Sequence, residues 1–530
     1  MSVSARNDRE TLHRMGYAQE LRRRMSTFSN FAVSFTIISI LSGCLTLFYF
    51  GMSNGGPMVI NLGWPFVGIM VLIVGLAMAE VCSSYPTAGG LYYWAAKLGG
   101  DRGPAWSWFT GWFNLLGQVA ITAGIDFGLA FFVNFLVSQY VGSWPSPLNA
   151  ATDFHSRLSI FAIYAVVLFV HGLMNTFGIS LVALLNDISV WWHVVGVATI
   201  FVVLLIIPKA HQSPSYIFGH FQNDTGFSFG LAGTYVFLTG LLNAQYTFTG
   251  YDASAHLTEE THNAAVSGPR GIVWSIIASL IAGWILLIGV TSAIDPKHYA
   301  DAEAAAGAAP GVIFINALGQ NWATFLLLIV IGAQFFCGMS SVTANSRMIY
   351  AFSRDGAVPG SQFWHKINAR TRTPTNSIWF AAVGALILGT PYLWNPTAYG
   401  AVTSIAVIGL YIAYGLPVLL RLLAGEKFQR GPWHLRQWSY VIGWIAVIWI
   451  AFIAVLFVLP QFAPGNTWAT FNYAPVAVAV VLLYAGGYWF LSAKNWFKGP
   501  KVQGTAQELA AIEAELEAVG HTVPAGAPTQ

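Results

Sequence analysis

Twelve apolar stretches recur along the chain, and polar loops separate them. Each stretch is long enough to cross the roughly 30 Å of hydrocarbon in a bilayer, which takes about 20 helical residues. The pattern predicts an all-α polytopic membrane protein with twelve transmembrane helices. The predicted spans 1 to 12 cover residues 31–53, 59–82, 105–139, 158–177, 181–207, 229–256, 271–293, 322–350, 377–394, 399–421, 439–460 and 473–492.

Span 6 is interrupted at mid-depth by polar residues. Its apolar run passes through residues 247–252 (TFTGYD) before a short polar helix that ends at Glu259 and Glu260. An Asp near the centre of a membrane helix costs about 2.5–3.5 kcal/mol on insertion scales. A broken helix whose freed backbone groups face a binding cavity would offset this cost. A kinked structural span with a buried, hydrogen-bonded Asp is the alternative.

Span 1 carries a second interruption, since Ser39, Ser42 and Gly43 break its apolar run. A Gly in a membrane helix also serves as a packing contact. Spans 1 and 6 occupy matching positions if residues 31–207 and 229–421 are two repeats of five helices. Interrupted helices at matching positions of two repeats are typical of transporter sites. The other predicted segments are a cytoplasmic tail (1–30), peripheral spans 11 and 12 (439–492), and a cytoplasmic tail with a short amphipathic helix (493–530).

The two interruptions suit a zwitterionic ligand. Where span 1 restarts after Gly43, free N–H groups and the positive end of the helix dipole favour a carboxylate. Carbonyls freed between Tyr246 and Gly250 could accept hydrogen bonds from an ammonium group. The ring of Phe248 or Tyr251 could close over the ligand, although ordinary aromatic packing explains these rings equally well.

The basic residues are distributed asymmetrically between the loops. If both termini face the cytoplasm, all 24 Lys and Arg residues lie on that side except Arg157, Lys209 and Lys297. Cytoplasmic loops of membrane proteins carry such an excess of positive charge. Residues 1–30 are polar and do not resemble a cleavable or organellar signal. We therefore expect a multi-pass protein of the plasma (cell inner) membrane with both termini in the cytoplasm.

Composition supports the membrane assignment, because 56% of the 530 residues are hydrophobic and 8% are charged. Soluble domains carry about 25% charged residues. Cys44, Cys82 and Cys337 lie in or beside apolar segments without metal-ligand spacing, so we expect no disulfide, metal or cofactor. We expect the lipid bilayer and a small molecule as partners, and no nucleic acid.

Several segments together resemble the amino acid–polyamine–organocation superfamily of permeases. The resemblance is strongest to its amino acid/choline branch, which includes γ-aminobutyrate (GABA) and choline permeases. It implies an inverted-repeat fold of five plus five helices with two peripheral ones, and secondary active transport of an amino acid or a related amine (GABA, choline or polyamine-like) by alternating access. The matching segments are 21–42 (LRRRMSTFSNFAVSFTIISILS), 54–57 (NGGP), 80–94 (EVCSSYPTAGGLYYW), 248–252 with 259–260, and 344–359 (ANSRMIYAFSRDGAVP).

In such permeases the unwound parts of spans 1 and 6 bind the amino acid, and an aromatic residue of span 6 is a gate. Carried onto this chain, these positions are Ser42, Gly43, Cys44, Phe248, Thr249, Gly250, Tyr251 and Asp252, next to the Tyr246 carbonyl already singled out. A nutrient sensor that keeps the fold without net flux is an alternative. A membrane-embedded enzyme is disfavoured, because no HExxH, nucleophile elbow or P-loop is present in the sequence.

Protons or sodium ions could drive such a transporter, and we favour protons. Sodium would need oxygens from the span 1 break and hydroxyls on span 8, which Ser340 and Ser341 could supply. His193 in span 5 could carry a proton, since imidazole titrates near physiological pH, or could be a packed donor. Asp126, deep in span 3, could relay protons, pair with a substrate amine, or bond to a neighbouring helix.

Charged residues near the cytoplasmic ends of the helices have structural explanations as well. Glu80 at the end of span 2 is expected in an ion pair. Arg354 at the end of span 8 could hold an inner gate together with Glu259 and Glu260, although a topological anchor explains the arginine equally well.

Overall fold

The computed structural model of the chain describes residues 3–177, 179–368 and 370–521. Within these ranges the regular elements are all helices. Eleven helices are long and apolar enough to cross a membrane, and the interrupted helix over residues 232–256 makes a twelfth span. The predicted all-α architecture with twelve spans is confirmed. Residues 1–2 and 522–530 of the predicted tails lie outside the described residues.

The helix bounds lie within a few residues of the predicted ones. Span 1 comprises Thr27–Ile38, Gly43–Thr46 and Phe48–Ser53, and span 6 comprises Ala232–Gly240, Leu242–Thr247 and Ala253–His256. The other spans are Gly56–Ser84, Gly103–Tyr140, Phe154–Phe177, Ile179–Ile206, Ala264–Ser292, Gln320–Arg354, Thr375–Gly389, Ala398–Ala424, Ser439–Leu456 and Ala474–Tyr488. Shorter helices are Val3–Arg14, Gly90–Leu98, Pro214–Gly219, Tyr299–Ala304, Ala309–Leu318, Ser361–Trp364, Lys494–Trp496 and Ala506–His521.

At its C-terminal end, span 8 continues to Arg354 rather than ending near residue 350 as predicted. The hydrophobic pattern stops earlier because the last turns carry Arg347 and Arg354. The helix continues because these cations are buried against carboxylates, as when Arg347 Nε donates to Glu260 Oε1 at 2.8 Å. A polar partner inside the protein thus extends a membrane helix beyond its apolar run.

The break in span 1 begins at Ser39, which adopts the left-handed conformation with φ of 32°. Side chains of span 8 satisfy carbonyls at this break. Cys337 Sγ donates to Ile37 O at 3.2 Å, and Gln334 Nε2 donates to Leu41 O at 3.3 Å. Because the bilayer offers no partners for backbone groups, these contacts allow the helix to stop at mid-depth.

The break in span 6 depends on Gly250, whose φ of 93° favours glycine. A Cβ there would lie 2.2 Å from Ile37 Cγ2 in span 1. Gly43 in span 1 lies directly against span 6 as well, because a Cβ there would lie 2.8 Å from Thr247 Cα. The two breaks are therefore in direct contact, and a glycine from each side makes the approach possible.

The described parts of both tails lie on one face, which we call the terminal face. His13 Nε2 in the first helix lies 2.7 Å from Glu513 Oε1 in the last. The opposite face is covered by the helices Tyr299–Ala304 and Ala309–Leu318, and Tyr299 donates its hydroxyl to Met52 O at 2.8 Å.

We predict that Gly43→Ala lowers the free energy of unfolding by about 1–3 kcal/mol, as overpacking of a filled interior does. The added methyl group would meet the Thr247 backbone, which cannot move without separating spans 1 and 6. Gly400→Ala is the control, since a Cβ at this helical glycine would have nothing within 4 Å, and alanine favours the helix. Thermal unfolding in detergent measures both, and equal midpoints would contradict the prediction.

Candidate functional site

The breaks of spans 1 and 6 form one buried site. Asn243 Nδ2 in span 6 donates to Cys44 O in span 1 at 3.1 Å. All of the predicted substrate-binding residues are buried, and none of the non-glycine ones is more than 2% exposed. The structure therefore brings the predicted positions together in a compartment that is shut from both faces.

Buried polar atoms without a hydrogen-bond partner among the described residues cluster beside the breaks. They include both amide atoms of Gln245, the hydroxyls of Tyr246 and Tyr251, and the hydroxyl of Tyr411 in span 10. The Tyr411 hydroxyl lies close enough to Tyr251 and Gln245 for these three groups to satisfy one another in part, whereas the Tyr246 hydroxyl stays unpartnered among the described residues. Leaving such a group unsatisfied costs about 1–3 kcal/mol. A polar ligand held between the breaks would supply the missing partners.

The N–H groups at the restart of span 1 are already engaged. Ser42 N and Gly43 N both donate to Ser39 O, at 2.8 and 3.2 Å. A carboxylate could use these groups only by displacing this turn. The side-chain donors of Tyr246 and Gln245 need no such rearrangement.

The aromatic rings at the span 6 break are packed on neighbouring spans. The Phe248 ring lies 4.4 Å from the Trp64 ring of span 2, centroid to centroid. The Tyr251 ring lies 5.0 Å from the Tyr414 ring of span 10. Both rings are fully buried, so either would have to move for a ligand to enter past it.

Asp126 of span 3 faces His171 of span 4, which the sequence analysis missed. His171 Nδ1 lies 3.2 Å from Asp126 Oδ1 and 3.3 Å from Oδ2, with hydrogen-bond geometry to Oδ2. Both side chains are fully buried. A Cβ at Gly338 of span 8 would lie 1.8 Å from Oδ1. The carboxylate is therefore wedged between spans 3, 4 and 8.

His193 of span 5 contacts the break in span 1 directly. Its Nε2 lies 2.8 Å from Ser39 Oγ, and its Nδ1 lies 2.7 Å from Ser189 O. Since a carbonyl only accepts, Nδ1 carries a hydrogen and Nε2 accepts from Ser39 in the neutral ring. His193 thus holds the residue at which span 1 stops.

Ser340 and Ser341 of span 8 point to different neighbours. Ser340 donates to Asn186 Oδ1 of span 5 at 2.5 Å, and Ser341 Oγ lies 2.8 Å from Thr122 Oγ1 of span 3. The two hydroxyls therefore do not converge on the span 1 break. Among the described residues no three His, Cys, Asp or Glu side chains are grouped so as to hold a metal ion.

Glu80 of span 2 is paired at the terminal face. Arg421 Nε of span 10 donates to Glu80 Oε2 at 3.2 Å, and Leu435 N donates to Oε1 at 3.2 Å. Ser439 Oγ, at the start of span 11, contacts the same carboxylate. Glu80 therefore joins three spans in a structural network away from the breaks.

Two ion pairs close the terminal face below the site, and we call them the inner gate. Arg354 Nη2 lies 3.2 Å from Glu259 Oε1, and Arg347 Nε lies 2.8 Å from Glu260 Oε1. The Arg354 guanidinium also lies 3.9 Å from the centroid of the Tyr17 ring. The inner gate thus links span 8 to the segment that follows span 6.

Asp252 is held by residues that the sequence analysis missed. Gln118 Nε2 of span 3 donates to Oδ2 at 2.7 Å, and the Tyr414 hydroxyl of span 10 donates to Oδ1 at 2.6 Å. His256 Nε2 lies 3.3 Å from Oδ2. The four-residue spacing of Asp252 and His256 places both on one helix face and is the sequence signal that could have indicated the pair.

Comparisons with known proteins relate the chain to amino acid permeases. The family model described as "Amino acid permease" matches residues 25–483. The amino-acid permease BAT1 of Arabidopsis thaliana is 42% identical over 498 residues, which cover 92% of this chain and 95% of the relative. Its homolog in Oryza sativa is 43% identical over 500 residues, covering 92% and 94%. The GABA-specific permease of Saccharomyces cerevisiae is 31% identical over 506 residues, covering 93% and 86%.

We predict that Glu259→Gln opens the terminal face, because removing one partner of a buried ion pair leaves the Arg354 charge uncompensated. The three cysteines are free and buried, so no cysteine needs to be introduced to report opening. A water-soluble maleimide should label Cys44 and Cys337, which lie at the breaks, faster in the variant. Asp301→Asn, on a helix that covers the opposite face, is the control and should leave both labelling rates unchanged. Unchanged labelling of Cys44 and Cys337 would contradict the gate assignment.

The opposite face provides a pH-dependent prediction. Burial, with a contribution from the neighbouring Asp224 carboxyl, raises the pKa of Glu303 to about 7 from 4.5. The folded protein then binds this proton more tightly than the unfolded chain, so the free energy of unfolding should fall as the pH rises between these values. Glu303→Gln should make the free energy of unfolding depend less on pH in this range, whereas Asp301→Asn on the same short helix should leave the pH dependence unchanged. The measurement is the unfolding midpoint as a function of pH.

Proposed function

The chain belongs to the amino acid permease family, and from this premise we propose that it moves a neutral, zwitterionic amino acid across the plasma membrane by alternating access coupled to protons. The observation that carries this proposal is the contact between the breaks of spans 1 and 6, with the unpartnered Tyr246 hydroxyl beside it. A small ligand with one carboxylate and one ammonium group matches such a site, because both acceptors and donors are available there.

The arrangement of acids favours a zwitterion over choline or a polyamine. The Asp126 carboxylate faces His171, and the Asp252 carboxylate accepts from Gln118 and Tyr414. Each carboxylate already has an imidazole beside it, so a ligand with a net positive charge would have to displace that imidazole. Neutral α-amino acids and GABA need no such displacement, and the name of the Saccharomyces cerevisiae relative places GABA among the first ligands to test.

Closure of both faces supports alternating access. The inner gate shuts the terminal face, which the distribution of Lys and Arg assigns to the cytoplasm. On the other face, Ser53 Oγ donates to Glu303 Oε1 at 2.5 Å and thereby joins the end of span 1 to the covering helix. Hydrogen bonds and ion pairs of this kind can exchange between two arrangements, so each face could open in turn.

The groups around the span 1 break favour protons over sodium. Span 5 presents His193 to Ser39, and span 8 presents the Cys337 thiol to Ile37 O. Sodium prefers oxygen ligands, as hard cations do, and an imidazole and a thiol do not supply them.

Uptake by purified protein in liposomes tests the proposal. We expect labelled alanine or GABA to accumulate when the outside is more acidic, and sodium to have no more effect than potassium. Choline and spermidine should not accumulate. If ligands stabilise the purified protein but none accumulates under any gradient, transport is excluded and a sensor is favoured.

Tyr246→Phe tests the site itself, because it removes one unpartnered hydroxyl and no packing. A hydrogen bond to a charged ligand group contributes about 1.5–3 kcal/mol, so KM should rise about tenfold or more. Tyr164→Phe is the matched control, since the Tyr164 hydroxyl already donates to Ala385 O at 2.5 Å. An equal change in KM for both variants would contradict the assignment.

A further inference from the structure

His256, in the last turn of span 6, lies in a fully buried polar environment. Its Nδ1 lies 3.0 Å from Ala88 O, in the segment that connects span 2 to the helix Gly90–Leu98. A carbonyl oxygen has no hydrogen to donate, so Nδ1 must carry one. This contact fixes the tautomer, and in the neutral ring Nε2 is then an acceptor.

The atom facing Nε2 is also an acceptor. Asp252 Oδ2 lies 3.3 Å away. The same carboxylate accepts from Gln118 and Tyr414 at 2.7 and 2.6 Å, which suits its ionised form. Two lone pairs facing each other inside the protein are repulsive, and the carboxylate would add an unbalanced buried charge. One additional proton on Nε2 converts this repulsion into the attraction of a buried ion pair.

A second partner for Nε2 stands on span 3. Asn114 Nδ2 lies 3.4 Å from His256 Nε2, and its carbonyl oxygen has no hydrogen-bond partner among the described residues. When the ring is neutral, the Asn114 amide can donate to Nε2. The imidazole thus has one partner for each protonation state, Asp252 when charged and Asn114 when neutral.

We propose that His256 binds the coupling proton, with Asp252 and Asn114 as its alternative partners. The assignment rests on the proton-coupled transport proposed above. A proton from water on one side binds Nε2 and turns its contact with Oδ2 into an ion pair. When the site opens to the other side, the same proton leaves Nε2 for water, and Asn114 takes its place as the partner.

The contacts of His256 connect this proton to the inner gate. Ala88, whose carbonyl accepts from Nδ1, donates its own N–H to Glu259 Oε1 at 3.0 Å. Glu259 in turn pairs with Arg354. A path of polar contacts therefore runs from Asp252 at the span 6 break, through His256 and the backbone of Ala88, to the ion pair that shuts the terminal face.

The titratable groups that face this pair, among the residues that the structure describes, are tyrosine hydroxyls. Span 10 contributes those of Tyr411 and Tyr414, and span 6 contributes that of Tyr251. Span 3 contributes the amides of Asn114 and Gln118, and the segment around Ala88 contributes backbone groups. Glu259 and Arg354 act through Ala88. A pH response of this region is therefore expected to follow His256 and Asp252.

The first test compares uptake driven by a pH gradient in liposomes for wild type, His256→Gln and His171→Gln. A gradient of one pH unit can sustain about a tenfold accumulation, since one unit is a tenfold change in proton activity. We expect His256→Gln to lose this accumulation, and its remaining exchange of labelled for unlabelled amino acid to become independent of pH. His171→Gln alters another buried histidine beside an aspartate, and we expect its pH dependence to match wild type.

The outcomes separate this inference from the proposed function. If wild type shows no accumulation with any pH gradient, proton-coupled transport itself fails. If wild type accumulates and His256→Gln does so equally, or if His171→Gln alone loses the pH dependence, only the assignment to His256 is overturned.

Asn114→Ala keeps the inference testable if His256→Gln does not fold. Removing the partner of the neutral ring should make His256 hold its proton more tightly. The midpoint of the pH dependence of exchange should then shift to higher pH, by about half a unit for a threefold change in proton affinity. A purely structural role of Asn114 would lower activity without moving the midpoint, and an unmoved midpoint would overturn the proposal.

Discussion

The structure depends on the requirement that backbone groups inside a membrane find partners within the protein. Spans 1 and 6 stop at mid-depth, and the carbonyls freed there need donors. Cys337 and Gln334 of span 8 supply them to Ile37 O and Leu41 O. Unbroken helices therefore surround the broken ones and present polar side chains to them. The candidate site lies where spans 1 and 6 are interrupted. Two uninterrupted helices would have packed there through apolar contacts alone.

The same constraint explains why the terminal face is closed by charges. The half of span 6 that follows its break is a single short turn, Ala253–His256, and it is too short to be anchored by apolar packing alone. Buried pairs such as Arg354–Glu259 hold the segment beyond it. Buried ion pairs contribute little net stability, because desolvation offsets their attraction. They do specify one arrangement of the segment, and a competing arrangement that satisfies the same groups can be close in free energy.

The parts of this architecture that a single helix encodes could be predicted from the sequence. Apolar length marked the spans, and Gly250 with Asp252 marked the break in span 6, because both signals are local. Contacts between helices could not be predicted. Asp126 and His171 are far apart in the sequence, and each stands alone in its own apolar run, so their pairing depends on how spans 3 and 4 are rotated. The end of span 8 was placed too early for a related reason, since the partners of its arginines lie on another segment.

The two Asp–His pairs contain the same groups but differ in position, and this difference underlies the coupling role that we propose for one of them. Asp126–His171 and Asp252–His256 are both fully buried carboxylate–imidazole pairs. The first lies between spans 3, 4 and 8, which run unbroken past it. The second lies directly after a break and is bonded to Ala88, which is bonded to the inner gate. In the mechanism proposed above, a proton bound there shifts the balance between two arrangements of the gate by as much as its binding energy differs between them.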